Sequence, residues 1–211
     1  MNQDSLFPSD NEQVLDLEGF GSLTYFRSWL SRTEADCYLE SLNSDVAWTQ
    51  PEISVYGQAH LIPRKQAWYG DQGAEMAYSG VRFSPLPWLP LLSELKDRIA
   101  LITGATYNSV LVNLYRNGQD SVGWHADDEQ ELGADPVIAS LSLGCSRIFS
   151  LKPKSSMLPN GALKRRDITL NHGDLLVMSA GTQSYWQHAL LKDNACTAQR
   201  LNLTFRQIQN I

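Results

Sequence analysis

The chain has 211 residues and a formal net charge of -6, enough for one domain with a full hydrophobic core, alone or with an extension, and too acidic for a broad nucleic-acid-coating surface, which opposes many Lys and Arg to phosphates. Three scattered cysteines, Cys37, Cys145 and Cys196, exclude a disulfide framework or a Cys-rich zinc site and read as free thiols in a reducing cytoplasm. The polar, acidic start lacks a secretory pattern and no apolar run is long enough to span a bilayer, so the expected place is inside the cell and off the membrane.

Residues 1–18 show no clear period and little apolar surface, the mark of an arm loosely held or packed late. Ser31 followed by Glu34 has the capping-box form, and Ala35, Tyr38, Leu39 and Leu42 then recur at helical spacing. Residues 46–86, rich in aromatics, Gly and Pro, read as short strands and loops. Pro87-Trp88-Leu89-Pro90 opens a second amphipathic helix, with Leu91, Leu92, Leu95, Ile99 and Ile102 on its apolar side and Gly104 as its stop. From residue 105 short β-type runs follow at 109–115, 137–143, 146–151, 166–170, 174–179, 185–191 and 200–208. No helical pattern interrupts them, so the expectation is a mainly β fold with flanking helices (α+β) and an antiparallel jelly-roll core. One positive cluster, Lys152, Lys154, Lys164, Arg165 and Arg166, lies in the 152–167 loop.

Val122-Gly123-Trp124-His125-Ala126-Asp127-Asp128-Glu129 carries an imidazole and a carboxylate two residues apart. In an extended segment both fall on one face, where they can reach one ion. His172-Gly173-Asp174 has the same form, although its Gly-containing turn suits side chains bonded to local backbone. His60, His172 and His188 could each complete a site. Two His and one carboxylate from separate strands form the facial triad of non-haem iron(II) oxygenases, which leaves coordination positions open.

Two strands carry alternating polar faces. In 109–115, Asn113 and Tyr115 fall together with Leu111; in 200–206, Arg200, Asn202, Thr204 and Arg206 oppose Leu201, Leu203 and Phe205. Such a face either meets solvent on an exposed strand or lines a pocket in which guanidinium groups bind a dicarboxylate.

Taken together, His125-x-Asp127, His188, Arg200-x-Asn202-x-Thr204-x-Arg206 and Asn113-x-Tyr115, within "NLYRNGQDSVGWHADDE" and "RLNLTFR", resemble the AlkB family of iron(II)- and 2-oxoglutarate-dependent dioxygenases. Pro63-Arg64-Lys65-Gln66, Tyr69-Gly70-Asp71 and Tyr78-Ser79-Gly80 are similar to the nucleotide-recognition lid of members that repair alkylated DNA, and the duplex-acting members are the most alike. The resemblance covers about residues 50–208. It implies a single dioxygenase domain over residues 1–211: an arm and helix at 1–45, the lid at 46–86 and the jelly-roll catalytic core at 105–211.

By that resemblance His125, Asp127 and His188 hold iron(II). Arg200 pairs with the far carboxylate of 2-oxoglutarate, helped by Tyr115, while Asn113, Asn202, Thr204 and Arg206 steady the remainder, with Arg206 near the keto-acid end. With O2 as second cosubstrate, the implied activity is oxidative demethylation of 1-methyladenine and 3-methylcytosine in DNA, a direct-reversal repair. The same chemistry on RNA, or hydroxylation of a protein or small molecule, is the alternative. The target base is flipped out. Tyr78 stacks on it opposite His125, with Met76 and Trp124 as walls, and Asp128 and Glu129 accept from its exocyclic amine. Met76 stands where duplex-acting members tend to have an aromatic. Val55-Tyr56-Gly57 resembles the wedge that fills the gap, with Tyr56 at its tip. Arg64, Lys65, Arg147 and the 152–167 loop are the implied phosphate contacts. The expected state is a monomer bound to DNA or RNA, in the cytoplasm or nucleoid of a bacterium or the nucleus of a eukaryote.

Overall fold

In the computed structural model, which describes residues 11–55, 57–78, 81–154 and 163–209, with backbone alone at 53–55, 76–78 and 81–83, two antiparallel sheets face each other and helices cover one of them. The larger sheet has the order β1 (Glu12–Asp16), β2 (Ser22–Phe26), β13 (Leu175–Met178), β10 (Ile138–Gly144), β15 (Arg200–Arg206), β8 (Ser109–Tyr115) and β5 (Lys65–Gly70). The smaller runs β12 (Arg166–Leu170), β11 (Arg147–Pro153), β14 (Trp186–Leu190) and β9 (Val122–His125). Two separate hairpins, β3 (Glu52–Val55) with β4 (Gln58–Leu61) and β6 (Met76–Tyr78) with β7 (Val81–Phe83), stand outside both sheets.

Helix α1 (Arg32–Asp45) begins at the expected capping box: the Ser31 hydroxyl accepts from the Glu34 amide, and the Glu34 carboxylate accepts from the Ser31 amide. Each bond satisfies a first-turn or entry amide that the helix itself leaves unpaired. Helix α2 (Pro90–Thr103) starts at the proline, whose missing N–H is not needed there, and stops at Gly104 with φ +66°. Ala35, Tyr38 and Leu42 of α1 and Leu92, Leu95 and Ile99 of α2 pack on Val110, Val112, Leu141, Leu203 and Phe205 of the larger sheet. Fully burying one such Leu or Phe contributes about 1.5–3 kcal/mol.

The inner face of the larger sheet is divided. Toward β2 and β13 it is dry, where Leu23, Ile138, Leu176 and Met178 meet Phe149, Leu151, Leu170 and Trp186 of the smaller sheet. Toward β15 and β8 it is polar. Because side chains alternate across a strand, Leu201, Leu203 and Phe205 feed the helix-covered core while their neighbours point between the sheets. A solvent-facing origin for this polar face is therefore excluded.

Two expectations are corrected. The segment before residue 18 is not simply loose: β1 pairs with β2 along the sheet edge, and Leu17 is fully buried in the inter-sheet core. Its residues have no readable period because an exposed edge strand buries almost nothing of its own. The cysteines are not all free either: Cys145 and Cys196 are paired as a disulfide, and Cys37 on α1 is exposed. The Cys145 amide donates to the Gln199 carbonyl at 2.8 Å, which brings the loop before β15 against the turn after β10. Sequence spacing carries no trace of that approach.

The same loop is zipped to the turn after β8. The Gly118 amide donates to the Cys196 carbonyl at 2.7 Å, and the Asp193 amide donates to the Gly118 carbonyl at 2.8 Å. A Cβ at residue 118 would overlap the Asp193 carbonyl oxygen, whereas one at Gly123 would meet nothing within 4 Å. Gly118→Ala should therefore lower stability by about 3 kcal/mol, as an overpacked site against rigid backbone does, while Gly123→Ala leaves it nearly unchanged; denaturant unfolding of the two proteins side by side checks this.

Candidate active site

Strands β9 and β14 place His125 and His188 directly opposite each other, with ring centroids 4.3 Å apart. Asp127, two residues beyond His125, turns into the same space, and single ligand atoms from the three lie within 4.8 Å of one another. The Gly123 carbonyl can only accept, so the His125 Nδ1–H donates to it at 2.8 Å and the Nε2 lone pair is left to bind a metal. Burial, then repulsion from His125, drops the His188 imidazole to about 3, which keeps it neutral as a ligand must be. Burial pushes the Asp127 carboxyl up, but Arg206, His188 and His125 together outweigh it and hold it at about 2.

Asp127 is fixed from two sides. Its Oδ1 accepts from Arg206 Nη2 at 2.8 Å in a buried ion pair, and its amide donates to the Gln183 side-chain carbonyl at 3.0 Å. Gln183 sits on the short helix α3 (Thr182–Tyr185), just before β14.

The opposite wall is the polar face of β15 and β8. The register sets Arg200 against Tyr115 and Asn202 against Asn113. Arg200 Nη2 donates to Ser142 Oγ at 3.0 Å, Asn202 Nδ2 to Ser140 Oγ at 2.8 Å, and Thr204 Oγ1 to Asn202 Oδ1 at 3.1 Å. Arg64, just before β5, donates from Nε to Asn113 Oδ1 at 2.9 Å. Burial lowers the Arg200 guanidinium to about 10, so it remains a cation at neutral pH. One cavity is lined by all three candidate metal ligands together with Asn113, Tyr115, Arg200, Asn202, Thr204 and Arg206.

The competing triplet is occupied elsewhere. His172 Nδ1 accepts from the Gly144 amide at 2.8 Å and its Nε2–H donates to Asp36 at 3.1 Å; Asp174 accepts from the Tyr25 hydroxyl and from the Ser28 and Asn171 amides. His60 is exposed on β4.

Comparison with known proteins agrees with this geometry. Residues 22–206 match the model of the 2OG-Fe(II) oxygenase superfamily. The chain is 41% identical over 182 residues to bovine (Bos taurus) "DNA oxidative demethylase ALKBH2", covering 84% of this chain and 66% of that one. It is also 41% identical over 210 residues to human (Homo sapiens) "Alpha-ketoglutarate-dependent dioxygenase alkB homolog 3", covering 93% and 73%. The chain belongs to the AlkB family. A solved structure of OsALKBH1 shares the fold with a TM-score of 0.62 at 17% identity, covering 92% of this chain and 100% of that one. As an AlkB-family protein it is an iron(II)- and 2-oxoglutarate-dependent dioxygenase.

The residues present fit both groups. Asp127 Oδ2 is buried without a protein partner, next to two imidazoles, which is the donor set iron(II) takes. Nε and Nη1 of Arg200 and of Arg206 are likewise buried without a protein acceptor. Two unpaired guanidinium groups on one strand, with hydroxyl and amide groups between them, suit a dianion with a carboxylate at each end.

The expected base-recognition residues of this AlkB-family chain fall only partly within the described residues. Tyr56 lies outside the described residues, as do the side chains of Met76 and Tyr78 on β6. Asp128 accepts from Lys154 at 2.7 Å. Glu129 is half-buried, with Oε2 unpartnered, and burial followed by the nearby Asp127 charge raises its carboxyl above the usual range. The Trp124 ring has Lys152 Nζ at 4.7 Å and Arg165 Cζ at 5.6 Å from its centroid. Arg147 is 1% exposed and its guanidinium meets three backbone carbonyls, so it is not a phosphate contact.

Sequence reading missed Gln183, Ser140 and Ser142. The two serines alternate with apolar residues in 138–143, a period-two signal that could have marked them. Gln183 had none, because only the folded chain brings it to Asp127.

Arg206 balances a carboxylate that is 2% exposed. Arg206→Met should destabilise the metal-free protein by about 3–5 kcal/mol, the cost of leaving one buried charge alone, and Mn(II) should narrow the gap to wild type by neutralising Asp127 instead. Thermal unfolding with and without Mn(II) reads both effects; an undiminished gap at saturating metal would contradict the assignment.

Proposed function

We propose that this protein removes N-methyl groups from alkylated nucleobases in DNA, with 1-methyladenine and 3-methylcytosine as substrates, as a direct-reversal repair enzyme. The observation that carries the reading is that the strand bearing His125 runs through Asp127 straight into Asp128 and Glu129, two acids beside the candidate metal site. Carboxylates suit these bases because methylation makes the ring cationic and leaves an exocyclic amine to donate. The name of the bovine relative, a DNA oxidative demethylase, supports the same substrate class.

In this reading His125, Asp127 and His188 hold iron(II). Arg200, with Tyr115, receives the far carboxylate of 2-oxoglutarate; Arg206, Asn113, Asn202 and Thr204 orient the keto-acid end. Iron(II), 2-oxoglutarate and O2 supply the oxidation that hydroxylates the N-methyl carbon, and the resulting hemiaminal breaks down to formaldehyde and the unmodified base. The protein's contribution is to aim the methyl carbon and exclude competing reactions. Phe149, whose ring lies 5.2 Å from that of His188, helps keep this end of the cavity dry.

Residues 46–86 serve as the nucleotide-recognition lid, with the β3–β4 and β6–β7 hairpins free of both sheets and β5 anchoring them to the core. Tyr78 is the stacking partner of the flipped base, opposite His125, with Met76 and Trp124 beside it, and Tyr56 is the wedge. Base stacking on such rings is worth about 1–3 kcal/mol. Asp128 and Glu129 read the exocyclic amine. Lys154 holds Asp128 before the base arrives, and a cationic base competes with it for that carboxylate. Arg64, Lys65, Lys152, Lys164, Arg165 and Arg166 contribute the phosphate contacts that a net charge of -6 does not provide globally. The enzyme acts as a monomer inside the cell; no helix among the described residues is long and apolar enough to cross a membrane.

Oligonucleotides carrying 1-methyladenine or 3-methylcytosine, incubated with the enzyme, iron(II), 2-oxoglutarate and O2, should become lighter by one methylene unit in the mass spectrum, with stoichiometric succinate. His125→Ala and Asp127→Ala should abolish both products, and Tyr78→Ala should suppress base turnover more than uncoupled succinate formation. Faster turnover of the matched RNA would move the substrate from DNA to RNA, and full activity in His188→Ala would remove the third ligand.

A further inference from the structure

Arg147 opens β11 with its guanidinium inside the protein, 1% exposed. Nη2 donates to the Asp120 carbonyl at 3.1 Å and to the Leu191 carbonyl at 2.5 Å, and Nη1 to the Asn117 carbonyl at 3.4 Å. No carboxylate lies within ion-pair distance of it among the described residues, but the Asp193 and Asp120 charges act on it from farther off. Its central carbon stands 6.0 Å from the centroid of the Tyr115 ring, and Tyr115 is the cross-strand partner of Arg200. The three carbonyls belong to the turn between β8 and β9 and to the loop between β14 and β15, the two connections that flank the Tyr115–Arg200 end of the cavity.

A buried cation is costly unless it is compensated. Asp193, Tyr115 and Asp120 offset part of that cost for Arg147, while burial lowers its guanidinium and that of Arg200, and the Arg147 charge opposes that of Arg200. Two buried cations on either side of Tyr115 make sense where an anion is to be received. We infer that Arg147 is a positioning residue for the cosubstrate: it backs the Tyr115 ring, ties together the two loops that frame Arg200, and adds positive potential where the far carboxylate of 2-oxoglutarate binds. The inference rests on the placement of 2-oxoglutarate made above.

The test is calorimetric titration of 2-oxoglutarate into the Mn(II)-loaded wild-type, Arg147→Lys and Arg147→Met proteins. Methionine removes charge and donors; lysine keeps the charge but cannot span three carbonyls. The Kd for 2-oxoglutarate should rise on the order of tenfold in Arg147→Met, the scale on which orienting partners of a ligand act, and less in Arg147→Lys. In turnover, KM for 2-oxoglutarate should rise by more than kcat falls, while oligonucleotide affinity and its salt dependence stay at the wild-type level. A folded Arg147→Met protein with unchanged 2-oxoglutarate affinity overturns the inference. Where that variant does not fold, unchanged affinity in Arg147→Lys does so. Weakened oligonucleotide binding with a shallower salt slope also overturns it, by making Arg147 a phosphate contact. A wild-type protein that binds 2-oxoglutarate yet demethylates no nucleobase sinks the substrate reading and leaves this one standing.

Discussion

The buried pair between Asp127 and Arg206 joins the two halves of the active site. A carboxylate that is to bind iron must stay ionised, and burial alone would favour its protonated form. Arg206 removes that difficulty from one side at 2.8 Å and leaves the second carboxylate oxygen without a protein partner. The same guanidinium keeps two further nitrogens without acceptors. One interaction therefore keeps a candidate metal ligand ionised and leaves two buried donors facing the cavity.

This arrangement depends on a central strand that is buried on both faces and yet polar on one. Strand β15 lies between β10 and β8, so its backbone is paired along both edges and its pitch is fixed. Its apolar residues lock into the helix-covered core, which leaves Arg200, Asn202, Thr204 and Arg206 no freedom to turn outward. Ser140, Ser142 and Asn113 on the neighbouring strands sit at the matching level and take part of the hydrogen bonding. The remaining donors of the two arginines stay available for a ligand.

At the far end of that strand the connecting loops are held as firmly as the sheet. Gly118 lets two backbone segments approach more closely than any side chain would permit, Arg116 grips Asp120 through its guanidinium and amide, and Arg147 gathers three carbonyls. Loops built this way act as part of the scaffold. The region of residues 46–86 differs, with two hairpins that pair with neither sheet.

Much of this was legible in the residues themselves. The capping box at Ser31 and Glu34, the proline start and glycine stop of α2, and the alternation in 109–115 and 200–206 are local signals, and local sterics and hydrogen bonding decide them. The motif around His125 and Asp127 named a family and its fold. What stayed hidden were contacts between segments distant in sequence: β1 along the sheet edge, the Cys145–Cys196 pairing, Gln183 on the Asp127 amide, and the inward turn of Arg147, which the resemblance had implied as a phosphate contact. Residue spacing alone did not choose between a solvent-facing and a cavity-facing polar strand, or between His188 and His172; there the expectation came from the family resemblance. Strand pairing decided both, because a period of two shows which residues share a face, and only the partners on either side show what that face meets.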